Sequence, residues 1–224
     1  MFDLNVGQRA SIVGKTGSGK STLICHMIEA RPTEECIVLD SKGEPLFQKL
    51  SDSRVINGLS LKPDKKSLVH IVRPLPGELS DPGIMDNFLE DVYRKSRNIT
   101  IVIDEAYMLH SSAGKAGPGL VSLLTRGRSR GIGTWLGTQR PAWASRFCFT
   151  ESEHFFVMHL SHPADRKMMS EYTGVIDLSN RMIEPHTCCH INGNKIDYFR
   201  VPRFQEDGNS DDLYDESEKK WAYV

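Results

Sequence analysis

Nine consecutive residues, Gly14-Lys15-Thr16-Gly17-Ser18-Gly19-Lys20-Ser21-Thr22, set a lysine and a hydroxyl directly behind a glycine-rich run. Further on, Asp104-Glu105 set two carboxylates at the end of an apolar one. The first pattern is Gly, four residues, Gly-Lys-Ser, which is that of a loop that cradles phosphate. Its glycines let backbone N–H groups close around phosphate oxygens, and a helix starting at its end adds a positive dipole. Gly14, Thr16, Gly17, Ser18, Gly19, Lys20, Ser21 and Thr22 are the expected phosphate contacts. Lys20 would reach the β- and γ-phosphates, and Ser21 would hold Mg²⁺. The second pattern supplies what hydrolysis needs: Asp104 to bind Mg²⁺ and Glu105 to polarise the attacking water as general base. Neighbouring side chains on a strand point opposite ways, so the strand has to end here for both to serve one site.

Two further strand ends carry polar groups. Thr134-Trp135-Leu136-Gly137-Thr138-Gln139 ends on an amide that can bond both phosphate and water, as a γ-phosphate sensor must. Cys36-Ile37-Val38-Leu39-Asp40 ends on a carboxylate, followed by Ser41-Lys42-Gly43-Glu44. In an open α/β sheet the carboxyl ends of strands line the ligand crevice, which would bring Asp40 near the metal. A capping Asp before a helix explains it equally. Adenine, or low base selectivity, is expected, on the reading that the chain has no guanine-reading Asn-Lys-x-Asp motif.

The elements that position these groups follow from the apolar pattern. Strand-like runs occur at Gln8 to Val13, Cys36 to Leu39, Val69 to Val72, Ile99 to Ile103, Thr134 to Gly137 and His154 to His159. Most are short, continuous and β-branched, which suits strands covered on both faces. Helical stretches such as Ser21 to Glu29 and Asp86 to Lys95 fall between them. The expected fold class is α/β, a mainly parallel sheet flanked by helices. Cys188 to Ile191, Asn192-Gly193-Asn194 and Lys195 to Val201 read as a C-terminal β-hairpin. His186-Thr187-Cys188-Cys189-His190 is read as a strand with buried cysteines rather than a zinc site, because vicinal cysteines cannot easily share one tetrahedral ion.

The 224 residues are 39% hydrophobic and 25% charged, enough for one globular domain with a full core. Residues 1–204 are expected to form that domain. Residues 205–224, with seven acidic and two basic side chains, are expected to be a mobile acidic tail. An odd count of five cysteines without disulfide-like spacing favours a reduced compartment. No apolar run approaches the ~20 residues of a membrane span, and Met1 to Asn5 lacks the features of a secretory signal.

Gly14 to Thr22, Val38 to Glu44, Ile101 to Glu105 and Gly127 to Pro141 together resemble the FtsK/HerA superfamily of DNA-pumping ATPases. The most specific piece is Arg126-Gly127-Arg128-Ser129-Arg130-Gly131-Ile132-Gly133 followed by Gly137-Thr138-Gln139-Arg140-Pro141. A bare motor of this length looks like the genome-packaging ATPases of tailless icosahedral double-stranded DNA viruses with an internal membrane. The resemblance implies a RecA-like (ASCE) P-loop NTPase and a ring, usually a hexamer, that threads duplex DNA at the cost of ATP. It implies roles for Lys20, Ser21, Asp104, Glu105 and Gln139. It also implies an arginine acting in trans, for which Arg126, Arg128, Arg130 and Arg166 are candidates and Arg128 or Arg166 the preferred ones. Capsid-vertex or membrane proteins would be partners, and virion or host cytoplasm the location.

The net charge of −1 says nothing about partners, but its distribution does. From Ala106 to Thr150 there is no acidic residue, against Lys115, Arg126, Arg128, Arg130, Arg140 and Arg146. A positive face toward a phosphate backbone is expected. His110 to Gly119, with three glycines and Lys115, is expected to be a pore loop with Lys115 on DNA phosphate; an untouched surface loop reads equally well. An ATP-driven DNA-transfer, secretion or assembly factor of the same superfamily is the competing function.

Overall fold

The computed structural model describes residues 4–61, 67–109, 115–180 and 182–204. The expected acidic tail and half of the expected pore loop, residues 110–114, lie outside the described residues. Among the described residues nine strands form one sheet: β1 (Arg9–Val13), β2 (Glu35–Leu39), β3 (Ser53–Asn57), β4 (Val69–Arg73), β5 (Ile99–Ile103), β6 (Ile132–Thr138), β7 (His154–Val157), β8 (Thr187–Asn192) and β9 (Lys195–Arg200). Among the described residues seven α-helices surround it: α1 (Lys20–Glu29), α2 (Pro76–Leu79), α3 (Pro82–Lys95), α4 (Pro118–Arg126), α5 (Arg146–Thr150), α6 (Pro163–Thr173) and α7 (Asp177–Asn180). The strand order is β3-β4-β2-β5-β6-β1-β7-β8-β9, parallel through β7 and antiparallel across β7-β8-β9.

The period of two along the strands divides the core. Ile99, Ile101 and Ile103 face one apolar cluster with α3 and α4, while Val102 faces a second with α1. Such a sheet has no solvent face, which is why its strands read as unbroken apolar runs. In α3 the spacing of Met85, Phe88, Leu89 and Val92 aims one stripe at the core. Asp81 caps it, accepting from the Gly83 N–H at 2.8 Å, with Pro82 in the first turn. The next helix has no cap of its own. Instead Asp86 of α3 accepts from the Gly119 and Leu120 N–H groups at 2.8 and 3.0 Å, supplying α4 with the carboxylate its own sequence lacks.

Three sequence expectations need amending. Edge strand β3 was missed, because Ser53-Arg54-Val55-Ile56-Asn57 is half-buried at best and carries no apolar run. The central residues of the hairpin turn are Gly193-Asn194, since Asn192 still pairs with Lys195; Gly193 takes the positive φ of 57° that a leading glycine allows. The basic residues of 106–150 do not make one face. The chain reverses through α4 and again through β6, so Lys115 and Arg140 lie toward the carboxyl ends of the strands and Arg126, Arg128 and Arg130 toward the amino ends.

Candidate active site

The strand order decides what meets what. β1 is followed by the phosphate loop and β5 by the two carboxylates, and β6 lies between them, so its exit residue Gln139 is set between loop and carboxylates. The loop is strapped to both flanks: the Gly14 N–H donates to the Thr138 carbonyl at 3.2 Å and the Lys15 N–H to the His159 carbonyl at 2.9 Å. Glycine is required at two points. A Cβ on Gly14 would lie 2.4 Å from Ser18 Oγ and 2.8 Å from Met158 Cβ. Gly19, the residue before α1, has φ 100°, a left-handed conformation that side chains resist. No side chain caps α1, so its first N–H groups point out of the loop, ready for an anion.

Lys20 opens α1 and is buried, with Nζ 3.5 Å from Asp104 Oδ1 and 3.7 Å from Glu105 Oε1. Asp104 and Glu105 are both 1% exposed. The strand does end at Ile103, and a 3₁₀ turn over Ala106–Leu109 follows, which lets adjacent carboxylates face one site. Gln139 joins the two halves: its side-chain oxygen accepts from Thr16 Oγ1 at 2.5 Å, and its N–H donates to Glu105 Oε2 at 3.4 Å. Behind it, Arg140 pairs with Asp165 of α6 at 3.2 Å and lies over the Trp143 ring at 4.1 Å. The other oxygen of Asp165 accepts from the Ala142 N–H at 3.0 Å, which fixes the β6 exit to α6.

Asp40 is fully engaged elsewhere. Its oxygens take the Arg73 guanidinium and the Glu44 N–H, both at 2.9 Å, and so brace the turn after β2. That turn carries Lys42, whose ammonium contacts Glu105 Oε1, an interaction no sequence pattern announced.

The arginines separate by their surroundings. Arg166 donates to the carbonyls of Leu160, Ser161 and Ser179, at 3.2, 2.7 and 3.4 Å, and so staples its own chain. Arg126 and Arg130 both lie over the Tyr93 ring. Arg128 has a side chain 68% exposed, pairs with Glu153 at 3.1 Å and packs beside Gly7, before β1 begins. A strand of seven residues puts it roughly 20 Å from its own phosphate loop. Lys115 is exposed ahead of α4.

Sequence reading also missed a cavity of about 360 Å³ opening from Thr22, lined by Leu46, His186, Arg200, Val201 and Phe204 among others. The exit of β9 wraps α1 there: His26 Nε2 meets the Pro202 carbonyl at 3.1 Å and its ring sits edge-on to Phe204 at 5.2 Å. The string Asn194-Lys195-Ile196-Asp197 does match Asn-Lys-x-Asp, contrary to the expectation. It occupies the hairpin turn and the start of β9, with Lys195 paired to Asp197 at 3.3 Å. The cavity is at the other end of that strand, so the string is not placed to read a base beside the loop. Cys188 and Cys189 are buried in different clusters on opposite faces of the sheet, as the discounting of zinc required.

The fold and this loop define a P-loop ATPase of the RecA-like kind, with β6 between the phosphate-loop strand and the carboxylate strand. No family model matches the chain. The DNA packaging ATPase P9 of Enterobacteria phage PRD1 is 31% identical over 183 residues, 81% of this chain and 76% of that protein. The genome packaging NTPase B204 of Sulfolobus turreted icosahedral virus 2, in complex with AMPPCP, superposes with a TM-score of 0.67 at 19% identity over 87% of this chain and 98% of its own. VirB4 of Thermoanaerobacter pseudethanolicus does so with a TM-score of 0.62 at 10% identity over 88% of this chain and 89% of its own. The chain belongs to the family of viral DNA-packaging ATPases that includes P9.

Proposed function

We propose that this protein is the ATP-hydrolysing motor that drives double-stranded DNA into a preformed capsid. The observation that supports it is the linked set Thr16–Gln139–Glu105–Lys20 at the mouth of a phosphate loop, in a chain related to P9. Lys20 draws the β- and γ-phosphates, and the N-terminus of α1 receives their oxygens. Glu105 takes a proton from water as the water oxygen bonds to the γ-phosphorus and the bond to the bridging oxygen of ADP breaks. Gln139, tied to both Thr16 and Glu105, senses whether the γ-phosphate is present and passes that to Arg140 and α6.

Ser21 and Asp104 form the donor set for Mg²⁺. Hard oxygens, one hydroxyl and one buried carboxylate, suit an ion that keeps waters and binds substrate phosphates. Bound there, the ion would supply charge neutralisation of the phosphates. The cavity beyond Thr22 suits the nucleoside, with Phe204 and Val201 against the base.

Residues 1–204 act as a single ATPase domain, and several copies form a ring, a hexamer in our reading. Arg128, exposed and far from its own loop, is the better candidate to reach a neighbour's phosphate, since Arg166 is spent on its own backbone. Lys115 meets the DNA backbone. Proteins of the capsid vertex or its membrane hold the ring in the virion or host cytoplasm. Among the described residues no helix is long and apolar enough to cross a membrane. The test is steady-state ATP hydrolysis with and without linear duplex DNA. Stimulation by duplex DNA is expected, and hydrolysis indifferent to DNA would favour a protein-remodelling role instead.

A further inference from the structure

The carboxylate of Glu105 is crowded by donors. Oε1 meets Lys42 in direct contact and Lys20 at 3.7 Å, and Oε2 accepts the Gln139 N–H at 3.4 Å. An oxygen lone pair that accepts from an ammonium cannot at the same time accept a proton from water. Lys20 has another place to go, because phosphate oxygens bound in its loop attract it. Lys42 comes from a different element, so the departure of Lys20 alone does not move it.

Its setting is built. Asp40, Arg73 and Glu44 close the turn after β2, with Arg73 Nη2 also donating to the Glu44 carbonyl at 3.2 Å. The backbone of Lys42 is thereby held while its long stem remains free. The Lys42 side chain is 38% exposed and that of Glu105 is 0% exposed, so the ammonium can leave and the carboxylate cannot follow. An ion pair of one buried and one accessible partner is a contact that a competing anion can open.

We propose that Lys42 is a positioning residue that latches Glu105. It occupies the lone pair the attacking water needs, and it releases when a phosphate oxygen takes its ammonium. That oxygen belongs either to the γ-phosphate or to the backbone of duplex DNA. The proposal rests on Glu105 being the general base.

The test is kcat and KM for ATP in Lys42→Met and Lys42→Arg, with and without linear duplex DNA, in the wild-type and Glu105→Gln backgrounds. If the latch is engaged for most of the cycle, Lys42→Met raises kcat without DNA by about three- to tenfold. KM stays within about twofold, because the phosphate loop is untouched. Lys42→Arg, which keeps the cation, remains near wild type. Lys42→Met in the Glu105→Gln background is no faster than Glu105→Gln alone, which shows that the effect travels through Glu105. If DNA phosphate is the trigger, Lys42→Met loses its stimulation by DNA; if the γ-phosphate only competes with Glu105 for the ammonium, so that the latch is still mostly engaged with ATP bound, kcat rises by the same factor with and without DNA. A kcat for Lys42→Met equal to or below wild type overturns the latch. Wild-type turnover by Glu105→Gln removes instead the base on which it rests.

Discussion

Glu105→Gln isolates the proton transfer from everything else at the site. The side chain is 0% exposed, and its Oε2 accepts from Gln139 N–H at 3.4 Å. Glutamine has the same shape, so its carbonyl oxygen can keep that bond and Gln139 stays in place. The substitution also removes a charge from two ammonium groups, but neither is stranded. Lys20 keeps Asp104 at 3.5 Å, and Lys42, 38% exposed, can turn to solvent. No unpaired buried charge remains, so the large penalty that follows from breaking a buried pair does not apply. The variant should fold, with its melting midpoint within a few degrees of wild type. What it loses is the acceptor for the water proton, worth about 100- to 10,000-fold in rate, or about 3–5 kcal/mol of barrier. The expected result is ATP bound with near-normal affinity and cleaved slowly, so that rapid-quench single turnovers show trapped ATP. Cleavage within about threefold of wild type, with binding intact, would refute the assignment of Glu105 and the reasoning from its position.

Arg128→Ala should leave nucleotide binding intact and depress hydrolysis by the ring by about 1,000-fold, as loss of a trans-acting arginine does; unchanged turnover under assembling conditions would return the role to another arginine. Lys115→Ala should weaken DNA-stimulated hydrolysis alike for all duplex sequences and lower the salt slope of DNA binding by about 1 per subunit contact. Stimulation and slope both unchanged would leave Lys115 on an idle loop. His190 stacks on Phe156 and meets His154 at 3.0 Å, and burial, with His154 second, pushes its pKa from 6.5 down to about 4. The unfolded chain therefore binds the proton first, and stability should fall as pH drops from about 6.5 toward 4. Melting midpoints across that range should fall less steeply in His190→Phe, and parallel curves would deny His190 its share.

Residues 14–22 announced their chemistry because the atoms that cradle phosphate are consecutive in the chain, and the apolar strand before and the helix after them are local signals too. The same holds for Asp104-Glu105 at the end of an unbroken apolar run, and for the hairpin. Strand β3 escaped notice because an edge strand buries too little to need an apolar pattern. Which polar strand ends meet was decided only by the order of the sheet. Thr16 and Gln139 are 123 residues apart and bond because β6 lies beside β1. Asp40, read equally as a group near the metal or as a cap, pairs with Arg73 at the end of the neighbouring strand β4 and accepts from the Glu44 N–H. Lys42 reaches Glu105 across 63 residues because β2 and β5 are neighbours. A short motif carries its own geometry in covalent bonds. A contact between strand exits depends on the pairing of whole strands, which the burial of both sheet faces selects and no local spacing records.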